Sequence, residues 1–468
     1  MEKTFNSLKN INKIHMIGIG GISMSAIALV LKKYGYIITG SDKTEGDMTE
    51  LLEKNEIPVY IGSNAELVKD ADVVVYTSAI NQHDPEFVRA KSLNIPTYER
   101  AKFLGMMLEC YDTPICICGT HGKTTTTSML SSIFIDAGFD PNVQVGSKYK
   151  KLNDINYRIG ESEYFILESC EYVDSFLNFP HHTATILNID EDHLDYFSGI
   201  EEIKESFKKF MLMTKENGLI IINRDDINCM DILKDIKDNL KEKDIKILTF
   251  SLSEPDADVY AKNISCNIKG FYSFDLVYKN FSHKFYLTVP GIHNVYDAIA
   301  AITTSLAHGI SFESMEKSLN EFCGAKRRFE YKKTLKENIL VYDDYAHHPT
   351  EIKATLSAAK QKQHNRIIAI FQPHTYSRTK ELLNDFATSF SDADIVILSD
   401  IYAAREKDDG TISSKDVVDL LKKNNVNAHY IPTFKEIIEF LNKIMQKDDI
   451  ILTIGAGNIT HLSDNLKD

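Results

Sequence analysis

The run Ile115-Cys116-Ile117-Cys118-Gly119-Thr120-His121-Gly122-Lys123-Thr124-Thr125-Thr126-Thr127 leaves few folds open. An apolar stretch of strand length ends at one glycine, turns through a second and runs on into residues that can start a helix. Strand, tight glycine turn and helix in that order make half of a βαβ unit, so an α/β chain with parallel sheet is expected. The same turn has the chemistry of a phosphate cradle. Gly119 and Gly122 let backbone N–H groups approach oxyanions, Lys123 reaches β/γ-phosphates and the Thr124 hydroxyl suits magnesium. The general pattern has a further glycine where Ile117 stands, so the cradle is a shortened variant. ATP or GTP chemistry is the leading reading.

The α/β pattern occurs three times. Residues Lys13 to Ile17 read as a strand, followed by Gly18-Ile19-Gly20-Gly21-Ile22-Ser23 and a helix through Leu31, which is a mononucleotide-binding opening. A second strand, Ile37 to Thr39, ends at Ser41-Asp42, near the place where dinucleotide folds hold a ribose-binding acid. Taken alone this fingerprint is weak, since its third position is Ser23. The second block holds the cradle and strands Tyr164 to Leu167, Thr183 to Ile189 and Leu219 to Ile222. From Ile245 to Val289 apolar and polar residues alternate, which predicts β-hairpins appended to that block, and helices follow at Val295 to Leu306 and Phe312 to Phe322. The third block alternates strand and helix from Leu340 to Ile454, ahead of Gly455-Ala456-Gly457. The expected domains are 1–105, 106–324 and 325–468, and the basic run Lys148 to Lys151 reads as a solvated loop.

Length supports the division, because 468 residues exceed what a single hydrophobic core usually sustains. With 43% hydrophobic and 26% charged residues the chain is of ordinary globular type. No window is apolar for long enough to cross a bilayer, and Met1 to Asn12 lack a signal-peptide core, so a cytoplasmic location without membrane insertion is expected. A net charge of −14 opposes nucleic-acid binding. Seven cysteines without paired spacing argue against both a disulfide framework and a zinc site.

Polar residues gather at strand ends, where open α/β sheets hold ligands. Glu168 ends one apolar strand within Leu167-Glu168-Ser169-Cys170-Glu171, and His193 follows another within Asn188-Ile189-Asp190-Glu191-Asp192-His193-Leu194-Asp195. Hard oxygen donors with one imidazole suit Mg²⁺ or Mn²⁺ better than zinc. In the third block Tyr342-Asp343-Asp344-Tyr345-Ala346-His347-His348 and Gln372-Pro373-His374-Thr375-Tyr376-Ser377-Arg378 read as a second substrate site, with Arg378 suited to gripping a carboxylate.

The ordered motifs Gly18 to Ser25, Gly119 to Thr126, Asn188 to Tyr196, Gly291-Ile292-His293-Asn294, Gly324 to Phe329, Asp343 to Glu351 and Phe371 to Thr379 resemble the Mur ligase family over nearly the whole chain. The resemblance implies an N-terminal Rossmann-like domain for a UDP-sugar, a central P-loop ATPase domain with a parallel sheet plus a small antiparallel sheet, and a Rossmann-like C-terminal domain for an amino acid. It implies ATP-dependent joining of L-alanine to UDP-N-acetylmuramate through an acyl phosphate, with two Mg²⁺ ions, by a monomer or weak dimer. Gly18, Gly20, Gly21, Ser23, Asp42 and Ser78 would hold the UDP-sugar. Gly119, Thr120, His121, Gly122, Lys123, Thr124 and Thr125 would hold ATP phosphates, Asn294 would lie near the adenine, and Arg327 or Arg328 would meet phosphates at the domain junction. Thr124, Glu168 and His193 would ligate metal. Lys123 and His193 would act in catalysis with Arg378 and His348 facing the alanine, and Asp344 would serve either the ATP ribose or the amine. Substrate closure is expected about hinges near 105 and 325.

Three positions depart from the family pattern. Ser23 replaces a glycine, Asp297 stands where many relatives have asparagine, and Thr375 where many have arginine. The alternative activity is recycling, in which a tripeptide is added to the same sugar. A folylpolyglutamate-type ligase leaves the first hundred residues without a role, and an NAD-dependent dehydrogenase leaves the histidines of the third block without one.

Overall fold

The structure, a computed structural model, describes residues 11–194, 196–404 and 406–467, so the motif residue Asp195 and the first ten residues lie outside the described residues. Three sheets succeed one another along the chain. The first holds β1 (Lys13–Ile17), β2 (Ile37–Asp42), β3 (Val59–Ile61), β4 (Val73–Tyr76) and β5 (Thr97–Glu99), all parallel, in the order β3-β2-β1-β4-β5. Strand order reverses between β1 and β4, so a crevice opens above their C-terminal ends, where the Gly18 turn lies.

The central sheet has ten strands: β6 (Thr113–Cys118), β7 (Asn142–Tyr149), β8 (Ile155–Arg158), β9 (Tyr164–Glu168), β10 (Thr183–Ile186), β11 (Leu219–Asn223), β12 (Lys246–Ser251), β13 (Val259–Cys266), β14 (Phe271–Tyr278) and β15 (Phe281–Pro290). Their order is β15-β14-β13-β12-β11-β10-β6-β9-β7-β8. The antiparallel strands β13 to β15 extend this sheet, joined to it through a short parallel pairing of β12 with β13. The third sheet comprises β16 (Glu330–Leu335), β17 (Ile339–Asp344), β18 (Ile367–Phe371), β19 (Ile395–Leu398), β20 (Ala428–Tyr430) and β21 (Ile450–Ile454), in the order β16-β17-β21-β18-β19-β20 with only β16 antiparallel. The strands β6, β18 and β21 are apolar and almost wholly buried, as expected of parallel strands covered on both faces.

Two features differ from the sequence reading. The segment from Lys148 to Lys151 is not one loop: Lys148 ends β7, pairs with Asp47 at 2.9 Å, and its carbonyl accepts from the Lys326 N–H, while Lys150–Leu152 form a 3₁₀ turn. Residue 105 itself lies inside the helix Arg100–Leu108, whose Phe103, Leu104 and Met107 belong to one apolar cluster with Cys116, Phe165 and Phe176, so a joint near it falls outside that helix. A Cβ at Gly105 would overlap the backbone carbonyl of Asn178. We therefore expect Gly105→Ala to cost roughly 2–4 kcal/mol, read as a lowered Tm, since neither backbone can yield without opening that cluster. An unchanged Tm would show that the two segments can part freely.

Candidate active site

The phosphate loop runs from the end of β6 to the helix Lys123–Asp136. Gly119 has φ +145° and packs on Leu187 and Asn188, while Gly122 has φ +83°, a conformation costly for any residue with a Cβ. Asn188 fixes the turn from the next strand: its Oδ1 accepts from the His121 N–H at 2.8 Å and its Nδ2 donates to the His121 carbonyl at 3.1 Å. Thr120 is tied in the same way to the backbone of Asp190. Lys123 Nζ folds back over the loop, donating to the carbonyls of Gly119 (2.5 Å) and Thr120 (2.9 Å) and pairing with Glu171 at 3.0 Å. Burial opposes the lysine's charge, but Glu171 outweighs it and the pKa is raised, so Nζ is an ammonium.

Beside it, Thr124 Oγ1 donates to Glu168 Oε1 at 2.8 Å, Glu168 Oε2 accepts from the Gly146 N–H at 2.5 Å, and Arg328 reaches Thr124 Oγ1 at 3.2 Å. His193, at φ +55°, stacks on Tyr172 with ring centroids 4.5 Å apart, and burial lowers its pKa, which keeps a lone pair available. Hydroxyl, carboxylate and neutral imidazole form a donor set that fits a hard divalent cation.

Two cavities meet at this loop and share Gly122, Arg328 and Glu351 as a wall. One, of about 500 Å³, is lined by Thr125, Asn294, Asp297 and Asp344 among others. The other, of about 670 Å³, holds Lys123, Thr124, Glu168 and His193 from the central sheet, facing His347 and Arg378 from the third. Arg378 crosses to Asp192 at 2.8 Å, and that pair holds the Asp192 carboxyl well below its usual range even though burial opposes the charge.

Several residues lie apart from the partners the sequence suggested for them. His348 does not line the cavity that holds Arg378. It caps the helix Pro349–Lys360, and its ring lies 5.0 Å from that of His121, leaving His347 and His374 next to Arg378. Arg327 is taken up by Asp343 and the Gly455 carbonyl, so of the two adjacent arginines only Arg328 reaches the loop. Asp344 accepts from the N–H groups of Phe329 and Ala346 and lines the first cavity, away from Arg378, with burial pushing its pKa up to about 6. Asn294 donates to the Pro290 carbonyl at 2.6 Å.

At the first sheet, Gly18 takes φ +77°, Gly21 starts the helix Ile22–Lys33, and Asp42 accepts from the Gly20 N–H at 2.8 Å, so this acid pins the turn. Ser23 accepts from Gln144 at 2.5 Å and from Arg100 at 3.4 Å, linking the first sheet to β7. Ser78 is exposed in the turn after β4. Sequence reasoning passed over Glu171, Asp190, Asp192 and Glu351 as site residues. All four lie inside motifs it had quoted, but which acids of a motif face the loop depends on local turns such as the left-handed His193.

Asp297 packs against Gly122 and accepts from Thr126 Oγ1 at 3.2 Å. Burial raises its pKa to about 7, against the opposing pull of Thr126 and Arg328. A carboxyl raised on folding stabilises when protonated; that contribution is complete below about pH 4 and is lost as pH rises through 7. Asp297→Asn is therefore expected to raise Tm by several degrees at pH 8.5 and hardly at all at pH 5, a difference with a ceiling on the order of 4 kcal/mol. Equal shifts at both pH values would contradict it.

A phosphate loop shared by two cavities, with a separate glycine turn on a first parallel sheet, defines a three-sheet nucleotide-binding protein. The chain belongs to the Mur ligase family, whose members are ATP-dependent: family models match at residues 13–111 (Mur ligase family, catalytic domain), 117–305 (Mur ligase middle domain) and 327–457 (Mur ligase, glutamate ligase domain). It is 46% identical to a UDP-N-acetylmuramate–L-alanine ligase of Caldanaerobacter subterraneus, over 98% of this chain and 97% of that one. A protein of the same name from Caldicellulosiruptor saccharolyticus is 48% identical over 96% of each chain. Among solved structures, the UDP-N-acetylmuramate-alanine ligase MurC from Thermotoga maritima superposes with a TM-score of 0.81 at 28% identity, covering 97% of this chain and 98% of that one. A murein peptide ligase from Psychrobacter arcticus, 24% identical with a TM-score of 0.70 over 97% and 98% of the chains, shares the fold.

Proposed function

We propose that this chain is an ADP-forming ligase that joins L-alanine to the lactyl carboxylate of UDP-N-acetylmuramate, the first stem-peptide step of peptidoglycan synthesis. The observation that carries the reading is the second cavity, where the phosphate-loop Lys123 faces Arg378 from another sheet. The names of the full-length relatives point to the same reaction.

A carboxylate does not condense with an amine at neutral pH, so it must first be activated. One carboxylate oxygen attacks the γ-phosphorus, the β–γ bridging bond breaks and ADP leaves, giving an acyl phosphate. The alanine amine, having lost its proton, attacks the carbonyl, and phosphate departs with the C–O bonding pair. Lys123 and Arg328 neutralise charge that builds on the phosphoryl oxygens. Thr124, Glu168 and His193 would hold Mg²⁺, which supplies further charge neutralisation when bound. Arg378 grips the alanine carboxylate and so aims the amine at the acyl carbon. The first cavity receives the nucleoside, with Asn294 near the base and Asp344 on the ribose side, because both line it while Arg378 does not. His121, Thr125 and the loop glycines contact the phosphates. Gly18, Gly20, Gly21, Ser23 and Asp42 hold the UDP-sugar at the first sheet's switch point, with Ser78 at its rim.

Domain limits near 105 and 325 fit the three sheets, with the first joint moved to the strand-free stretch after Leu108. No described helix is long and apolar enough to cross a membrane. We place the enzyme in the cytoplasm, working as a monomer or weak dimer. The test is ADP release with UDP-N-acetylmuramate and L-alanine, glycine, L-serine or L-Ala-γ-D-Glu-meso-diaminopimelate as acceptor. Turnover best with L-alanine is expected. Turnover with the tripeptide alone would make it a recycling ligase, and none with any acceptor would remove the muramate reading.

A further inference from the structure

We propose that His121, Asp190 and His348 form a binding site for a zinc-class transition-metal dication, separate from the Thr124–Glu168–His193 cluster. One donor atom from each of the three residues lies within 4.8 Å of the other two. His121 Nε2 stands 3.4 Å from Asp190 Oδ2. Two ligands at about 2.0–2.1 Å from one tetrahedral ion lie roughly 3.3–3.4 Å apart, so this pair already has the spacing of atoms that share a metal. Both ring nitrogens of His121 are sealed from solvent, and each faces a carboxylate at ion-pair distance, longer than an ordinary hydrogen bond, Asp190 at Nε2 and Glu351 at Nδ1.

The surroundings match a metal-ligating histidine. Glu351 Oε1 lies 3.5 Å from His121 Nδ1, on the side of the ring away from Asp190. A carboxylate at the second ring nitrogen fixes the tautomer that leaves Nε2 free to ligate. The His348 ring lies 5.0 Å from the His121 ring, inclined by 39°. Its Nδ1 accepts only a long 3.3 Å bond from the Thr350 N–H, so ligation through either ring nitrogen costs that weak contact at most. Two imidazoles and one carboxylate leave a fourth position for water, a donor set that suits Zn²⁺ or Co²⁺ and not the all-oxygen preference of Mg²⁺.

The site is spatially distinct from the residues proposed for magnesium. His121 and Asp190 line the first cavity, whereas Thr124, Glu168 and His193 line the second. His121 belongs to the phosphate loop and His348 caps a helix of the third sheet, so a bound ion would staple these two parts together beside the nucleoside cavity. Binding of the ion itself does not rest on the ligase reading.

The test is titration of the full chain with Co²⁺, under reducing conditions and without nucleotide, followed by visible d–d absorption. Intense tetrahedral-type bands that Zn²⁺ abolishes are expected, with affinity falling about 10- to 100-fold in His121→Asn and in His348→Asn. The bands should persist in His193→Asn and in a Cys266→Ser, Cys323→Ser double variant, which removes the two exposed thiols. Should His121→Asn lose its native circular dichroism, His348→Asn, outside the phosphate loop, carries the test alone. Weak octahedral absorption only, bands unaffected by either histidine variant, or bands lost with the cysteines would each overturn the proposal.

Discussion

Lys123→Ala is expected to lower the rate of ADP formation by about 10³-fold or more while leaving the fold assembled. The argument starts from what Nζ does without a nucleotide: it satisfies two loop carbonyls and neutralises a Glu171 that is itself buried. A phosphoryl group arriving at the loop brings oxyanions that compete for the same ammonium. Because Lys123 is largely buried, a fixed positive charge there is worth several kcal/mol to the developing charge of the transfer. Alanine removes that charge and leaves Glu171 buried without its partner, a loss typically of 3–5 kcal/mol for an interior pair. Part of any activity loss could then come from local unfolding, so Lys123→Ala, Glu171→Gln is the informative companion. It restores neutrality and should recover Tm without recovering single-turnover ADP release. Release near the parental rate in either variant would remove Lys123 from the chemistry.

The same local geometry explains what the sequence could and could not convey. Three α/β blocks were legible because buried parallel strands are runs such as Ile367–Phe371, with no polar face to confuse the period. The cradle was legible because glycine, lysine and threonine have to follow a strand in that order. Less could be read wherever a residue's partner comes from another block. His348 sits in a motif with His347 and Asp344, and its neighbour there gave no hint that the ring would turn to His121, since that contact depends on how the third sheet docks. Glu351 looked like an ordinary helix-start acid, and it is one, accepting from the N–H groups of His347 and His348, yet its other oxygen faces the phosphate loop. The strand β7 escaped notice because its polar end, Gly146-Ser147-Lys148, carries contacts to Glu168, Lys326 and Asp47 in place of apolar packing.

Arg378→Ala is expected to raise KM for L-alanine by about 10²- to 10³-fold with a much smaller change in KM for ATP. Arg378 meets a carboxylate in this structure, that of Asp192, across the boundary between the central and third sheets. The alanine carboxylate would present the guanidinium with the same kind of partner, in the cavity that also holds Lys123 and His193. Losing one member of a desolvated charge pair costs 2–5 kcal/mol, and the middle of that range corresponds to the change expected. Arg378→Lys should recover little, since an ammonium cannot form the paired, planar contact of a guanidinium with a carboxylate. Asp192→Asn separates grip from competition. If Asp192 occupies the arginine until the amino acid arrives, that variant lowers KM for L-alanine; if it holds the arginine in place, KM rises along with that of Arg378→Ala. A change in KM for ATP alone would assign Arg378 to the nucleotide and leave the amino-acid site to His347 and His374.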